Sequence, residues 1–74
     1  MEENILGKRL RQARRAQDLT QQQLALKADD NYTTISRVEN GDYTQLYWKT
    51  VYDLATALGV SLDWASGREE KTNG

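Results

Sequence analysis

Apolar side chains recur along this chain at the three- and four-residue spacings of helices, and short polar punctuation separates five such stretches. Leu6, Leu10, Ala13 and Gln17 fall at i, i+4, i+7 and i+11, which predicts a first helix over residues 5–17 with Asn4 as its cap. Lys8, Arg11, Arg14 and Arg15 are its alternate, outward positions. Asp18 supplies the stop, since Asp tolerates the left-handed conformation that helix ends favour. Thr20 followed by Gln23 is a capping-box pattern, with Leu19 placed to staple onto Leu24. The second helix then turns Leu24, Ala25 and Ala28 inward. Asp29-Asp30-Asn31 is too polar to continue it and reads as a turn. Asn31 or Thr33 can cap a third helix with Ile35 and Val38 inward, and Asn40-Gly41 ends it. Val51, Leu54, Ala55 and Leu58 predict a fourth helix over residues 47–58, stopped by Gly59. Ser61 caps a short fifth helix containing Leu62 and Trp64. No stretch shows the alternation of a strand. The pattern predicts an all-α fold, a compact five-helix bundle over residues 1–67, with residues 68–74 as a loose charged tail.

Composition narrows the chemistry. With 74 residues the chain holds one domain, near the lower size limit for a self-sufficient core. It has neither Cys nor His, so disulfides, zinc sites of the usual ligands and His-based catalysis are excluded. Its 11 carboxylates include no pair in an apolar setting, and no Gly-rich loop cradles a phosphate. An enzyme is therefore not expected, nor a cofactor, a metal or a small-molecule substrate. No apolar run is long enough to span a membrane, and the first residues lack the apolar core of a signal peptide. The expected location is the cytoplasm.

The net charge of -1 hides an uneven distribution. Residues 1–28 carry six basic and three acidic side chains, whereas residues 29–45 carry one and four. Positive charge is thus concentrated in the first helix. The segment Thr20 to Gly41 has the layout of a two-helix corner. Ala25 is the small residue at the crossing, and Ile35 and Val38 anchor the second helix from behind. Tyr32, Thr33, Ser36 and Arg37 are then outward, with Asn31 at the entry. Their hydroxyl, amide and guanidinium groups suit base edges and phosphates as well as a plain polar surface. Trp64, flanked by Leu62 and Ala65, is expected in the core. One of Tyr43, Tyr47 and Trp48 is expected to be buried. Exposed members of this trio are candidate homodimer contacts.

Leu6-Gly7-Lys8-Arg9-Leu10, Arg14, Leu19-Thr20-Gln21, Leu24-Ala25, Ile35-Ser36-Arg37-Val38-Glu39-Asn40-Gly41 and Leu54 through Trp64 together resemble the helix-turn-helix domain of the lambda-type phage repressor, Cro and Xre family. The resemblance implies that the third helix enters the major groove of double-stranded DNA. By position it implies Gln21 at a phosphate or base edge, and Asn31, Tyr32, Thr33 and Arg37 as groove-facing residues. Thr34 and Ser36 are secondary candidates, and Asn40 would meet the DNA backbone. It also implies a structural ion pair between Arg14 and Glu39. The function it implies is that of a repressor-like transcriptional regulator, acting as a homodimer on a palindromic operator. The alternative is a protein-interaction module on the same scaffold, antitoxin-like or anti-repressor-like. Asp18, Asp29 and Asp30 depart from the family pattern, which has Gly, Gly and an apolar residue there. Asp42-Tyr43-Thr44-Gln45 stands where the family carries basic residues and Pro. Asp30 is expected to turn toward third-helix amides or solvent. The acidic turn and loop predict modest DNA affinity with a shallow salt dependence.

Overall fold

A computed structural model describes residues 4–44 and 46–68. They form α1 (Ile5–Ala16), α2 (Gln21–Ala28), α3 (Tyr32–Glu39), α4 (Trp48–Leu58) and α5 (Leu62–Ala65). Residues 69–74, most of the expected tail, lie outside the described residues, as does Gln45.

Local signals set four of the five helix starts. The side chains of Asn4, Thr20, Asn31 and Ser61 accept from the backbone N–H of Gly7, Gln23, Thr34 and Trp64. Each satisfies an amide that the first helical turn leaves without a partner. At α2 the capping box is complete, because the Thr20 N–H also donates to Gln23 Oε1 at 2.8 Å. Asn31, not Thr33, caps α3. Tyr47 precedes α4 without capping it through its side chain.

All five helices end alike. A residue at positive φ follows the helix, and the next N–H reaches back five residues to a carbonyl. The bonds are Leu19 to Arg14, Asp30 to Ala25, Asp42 to Arg37, Val60 to Ala55 and Arg68 to Asp63, at 2.8–3.1 Å. This closure satisfies carbonyls stranded at the helix end. Asp18 (φ 57°) and Asp29 (φ 58°) hold the left-handed position where glycine does so after α3, α4 and α5. Asp30 Oδ1 accepts the Asn31 N–H at 2.8 Å, so its half-buried carboxylate turns to backbone amide at the entrance to α3.

The core lies where the inner faces of all five helices meet. Leu10, Leu24, Ile35, Val38, Leu54, Leu58 and Trp64 pack there with Ala13, Ala25, Ala28 and Ala65. Leu19 and Val60, just beyond their helix stops, pack against this cluster. Gly7 sits where α1 approaches the end of α3; a Cβ there would lie 2.3 Å from the Val38 carbonyl oxygen. Two expectations for α1 are corrected. Gln17 is exposed rather than on the inner face, and its amide donates to the Leu58 carbonyl at 2.7 Å. Arg14 is buried rather than outward. Among the described residues no helix is long and apolar enough to cross a membrane.

Candidate nucleic-acid interface

The α2–α3 corner displays its polar groups from a rigid base. Ile35 and Val38 fix the inner face of α3, so Thr33, Arg37 and Asn40 line up at i, i+4 and i+7 on the exposed side. Tyr32 is exposed beside them, while Ser36 is half-buried. Asn31 and Thr34 are partly committed to the fold. Asn31 Oδ1 accepts both the Thr34 N–H at 2.9 Å and the Thr34 hydroxyl at 3.1 Å. Arg37 lies near Asp42, whose pKa is lowered first by the hydroxyl and N–H of Thr44 and further by the Arg37 charge.

Behind this surface is a buried ionic centre. Glu39 is 2% exposed and Arg14 8%. Arg14 Nε donates to Glu39 Oε2 at 2.7 Å and Arg14 Nη2 to Oε1 at 2.9 Å, a two-pronged contact. Arg14 Nη1 also donates to the Leu19 carbonyl at 2.8 Å, tying the end of α1 to the entrance of α2. Gln21 Nε2 donates to Glu39 Oε1 at 3.0 Å, and Arg11 Nε reaches the same oxygen at 3.4 Å. Burial pushes the Glu39 carboxyl up, but the hydrogen bonds from Arg14 and Gln21, the Arg14 charge and the Arg11 bond outweigh it, so its pKa is lowered. The Arg14 guanidinium is raised, first by its hydrogen bond to Glu39.

This centre brings together residues from three helices. Gln21, at the first position of α2, has its amide orientation set by Glu39, because an ionised carboxylate can only accept. Asn40 Oδ1 accepts from Arg11 Nη2 at 3.4 Å, and the same nitrogen donates to the Glu39 carbonyl at 3.2 Å. Arg11 is the site residue that sequence reasoning missed, having been placed among solvated outward cations. Arg9 is likewise drawn inward, with Nη1 on the Trp64 carbonyl at 2.7 Å and its guanidinium 5.2 Å from the Trp64 ring centre. Of the α1 cations Arg14 is buried, and Arg9 and Arg11 are half-buried and engaged in contacts within the molecule. Lys8 and Arg15 remain exposed.

None of the three loop aromatics is buried, which corrects the expectation that one would be. Tyr43 is 38% exposed, Tyr47 73% and Trp48 71%. Tyr43 nonetheless holds the α3–α4 loop to α1. Its hydroxyl accepts the Gly7 N–H at 3.1 Å and donates to Asn4 Oδ1, while Asn4 Nδ2 donates to the Glu39 carbonyl at 2.9 Å. The phenol is consumed by a contact 36 residues away in sequence, which no local pattern announces.

A capped two-helix corner, backed by a buried ion pair and showing a polar stripe on its second helix, defines a helix-turn-helix unit. Residues 10–64 match the helix-turn-helix family, and the chain belongs to that family, in its Xre and lambda-repressor type. Over 63 residues, 85% of the chain, it is 38% identical to a protein of Mycobacterium tuberculosis (strain ATCC 25618 / H37Rv) named "Putative antitoxin HigA2". The chain spans 62% of that relative's length.

Proposed function

We propose that the protein is a sequence-specific regulator of transcription that binds double-stranded DNA with α3 in the major groove, as a homodimer on a palindromic operator. The observation that carries this reading is the exposed Thr33–Arg37–Asn40 stripe on a helix anchored from behind by Ile35 and Val38, within a chain that matches the helix-turn-helix family. In it, Arg37 forks onto a guanine edge, and Tyr32 and Thr33 contact bases near the start of α3. Gln21 meets a phosphate or a base edge, and Asn40, on the other side of the Arg11–Glu39 contact, meets the backbone. Asn31, Thr34 and Ser36 shape the surface, the first two chiefly by holding the first turn of α3. Affinity is modest and its salt slope shallow, because Arg14 is buried against Glu39, Arg9 and Arg11 are engaged in contacts within the protein, and the turn and loop flanking α3 carry Asp29, Asp30 and Asp42.

A second reading is favoured by the relative's name. On this reading the scaffold also engages a partner protein, as an antitoxin engages its toxin. The two readings are compatible, since one surface can meet DNA while another meets protein. Selection from random duplexes tests the first. Recovery of a palindrome, with half-sites about one helical turn apart, is expected. Failure to enrich any sequence would leave only the partner-protein reading.

A further inference from the structure

Two guanidinium groups converge on the single carboxylate of Glu39. Arg14 holds it at 2.7 and 2.9 Å and is buried. Arg11 reaches the same carboxylate at 3.4 Å, and its side chain is 34% exposed against 10% for that of Arg14. One carboxylate neutralises one guanidinium, so the Arg11–Arg14–Glu39 triad keeps an excess positive charge. Among the described residues neither arginine pairs with a second carboxylate. Arg14 is the tightly bound and buried partner, so the excess charge falls on Arg11.

That charge stands at the edge of the α3 stripe. Arg11 Nη2 donates to the Glu39 carbonyl at 3.2 Å and to Asn40 Oδ1 at 3.4 Å. Arg11 thus lies between Gln21, which is on Glu39 Oε1 at 3.0 Å, and Asn40, the residue that ends α3. Its bonds are longer than those of Arg14, so the guanidinium is held beside Glu39 without being fully satisfied there. Asn40 is exposed, and its Oδ1 is taken by Arg11, which turns the donor end of the amide, Nδ2, the other way. A guanidinium and an amide nitrogen, neighbours on the surface, both donate. Phosphate oxygens only accept. Lys8, exposed one turn earlier on α1, extends the positive row.

We propose that Arg11 and Asn40 form a clamp for one DNA phosphate, in which Arg11 supplies the charge and fixes Asn40 with its amide donor outward. The clamp rests on the DNA reading given above and adds to it a residue from α1, outside the two-helix corner. Glu39 is its anchor: the carboxylate keeps Arg11 in place while Arg14 neutralises it. Every duplex carries the same phosphates, so the clamp adds affinity and register but no base preference. With the salt slope shallow, one such contact is a large share of it.

The test is binding of the 74-residue chain to a mixed-sequence duplex, read as affinity against salt concentration. Arg11→Gln is expected to weaken binding by about tenfold at low salt and to lower the slope of log affinity against log salt by about 0.9. Between about 50 and 200 mM salt the parent chain should then lose about 3.5-fold more affinity than the variant. Arg11→Lys keeps the charge and should keep the slope. Asn40→Ala should weaken binding at an unchanged slope, and by a smaller factor in the Arg11→Gln background, because both donors serve one phosphate. Glu39 retains Arg14 in all of these variants, and circular dichroism checks that each is folded under the binding conditions. An unchanged slope for Arg11→Gln would overturn the proposal and leave the DNA reading standing, with Arg11 serving Glu39 alone. A slope that falls equally in Arg11→Lys, or losses at Arg11 and Asn40 that simply add, would also overturn the clamp. Absence of binding by the parent chain at low salt would overturn the DNA reading and the clamp together.

Discussion

Replacing Arg14 by Met removes two charged hydrogen bonds from a carboxylate that has almost no access to water. Glu39 would keep only Gln21 Nε2 at 3.0 Å and Arg11 Nε at 3.4 Å. The Leu19 carbonyl would lose its donor as well. Breaking a buried pair from one side costs about 3–5 kcal/mol, because the remaining charge stays desolvated without its partner. A chain of 74 residues has a total stability on the order of 4–11 kcal/mol at typical values per residue. Arg14→Met should therefore be marginally folded at 25 °C. Urea unfolding followed by circular dichroism measures the loss. With a slope of about 1 kcal/mol per molar urea for a small domain, the midpoint should fall by roughly 3 M. The double variant Arg14→Met/Glu39→Met removes both charges and fills the space with apolar atoms. It should recover most of the lost stability, giving a coupling of several kcal/mol in the double-mutant cycle. A cost below about 1 kcal/mol for the single variant, or a double variant no more stable than the single, would refute the reasoning.

Acidification should act on the same centre. The folded-state pKa of Glu39 lies below its unfolded value, so the pair stabilises the fold fully above the unfolded carboxyl value of about 4.3. That contribution is lost as pH falls through the depressed folded value, and the urea midpoint of the parent chain should drop more steeply below about pH 4 than that of the double Met variant. Gly7→Ala would press a methyl group onto the Val38 carbonyl oxygen, which belongs to backbone, and thermal unfolding should show a loss of at least about 2 kcal/mol. Asp29→Gly relieves a left-handed residue of its side chain and should raise the unfolding temperature by a few degrees, about 0.5–1 kcal/mol, whereas Asp29→Val should lower it. On a selected operator, Arg37→Ala should relax preference at one base step by ~1–3 kcal/mol, whereas Lys8→Ala should weaken all sequences alike and lower the salt slope.

What the sequence announced was local. Thr20 and Gln23 define a capping box within four residues, and Asp18, Asp29 and Gly59 mark stops through their own backbone preferences. The inner faces of α2 and α3 were legible because Leu24, Ala25, Ala28, Ile35 and Val38 repeat at helical spacing. Distant contacts were not legible from spacing. Arg9 finds a carbonyl and a ring 55 residues away, Gln17 a carbonyl 41 away, and Tyr43 an amide 36 away. A surface cation and a structural one look the same in a one-dimensional pattern, so spacing alone does not separate the buried Arg14 and the engaged Arg9 and Arg11 from the exposed Lys8 and Arg15. The Arg14–Glu39 pair was expected only through family resemblance, since 25 residues separate its members and neither lies in an apolar run.

The central claim is that α3 presents Thr33 and Arg37 to a DNA groove with Gln21 at its edge. Amide and side-chain shifts recorded while a selected operator duplex is titrated into the labelled chain test it most directly. The account predicts that Gln21, Thr33 and Arg37 shift strongly while Trp48 and Tyr52 stay still. Silence at Gln21, Thr33 and Arg37, with movement at Trp48 and Tyr52 instead, would contradict it.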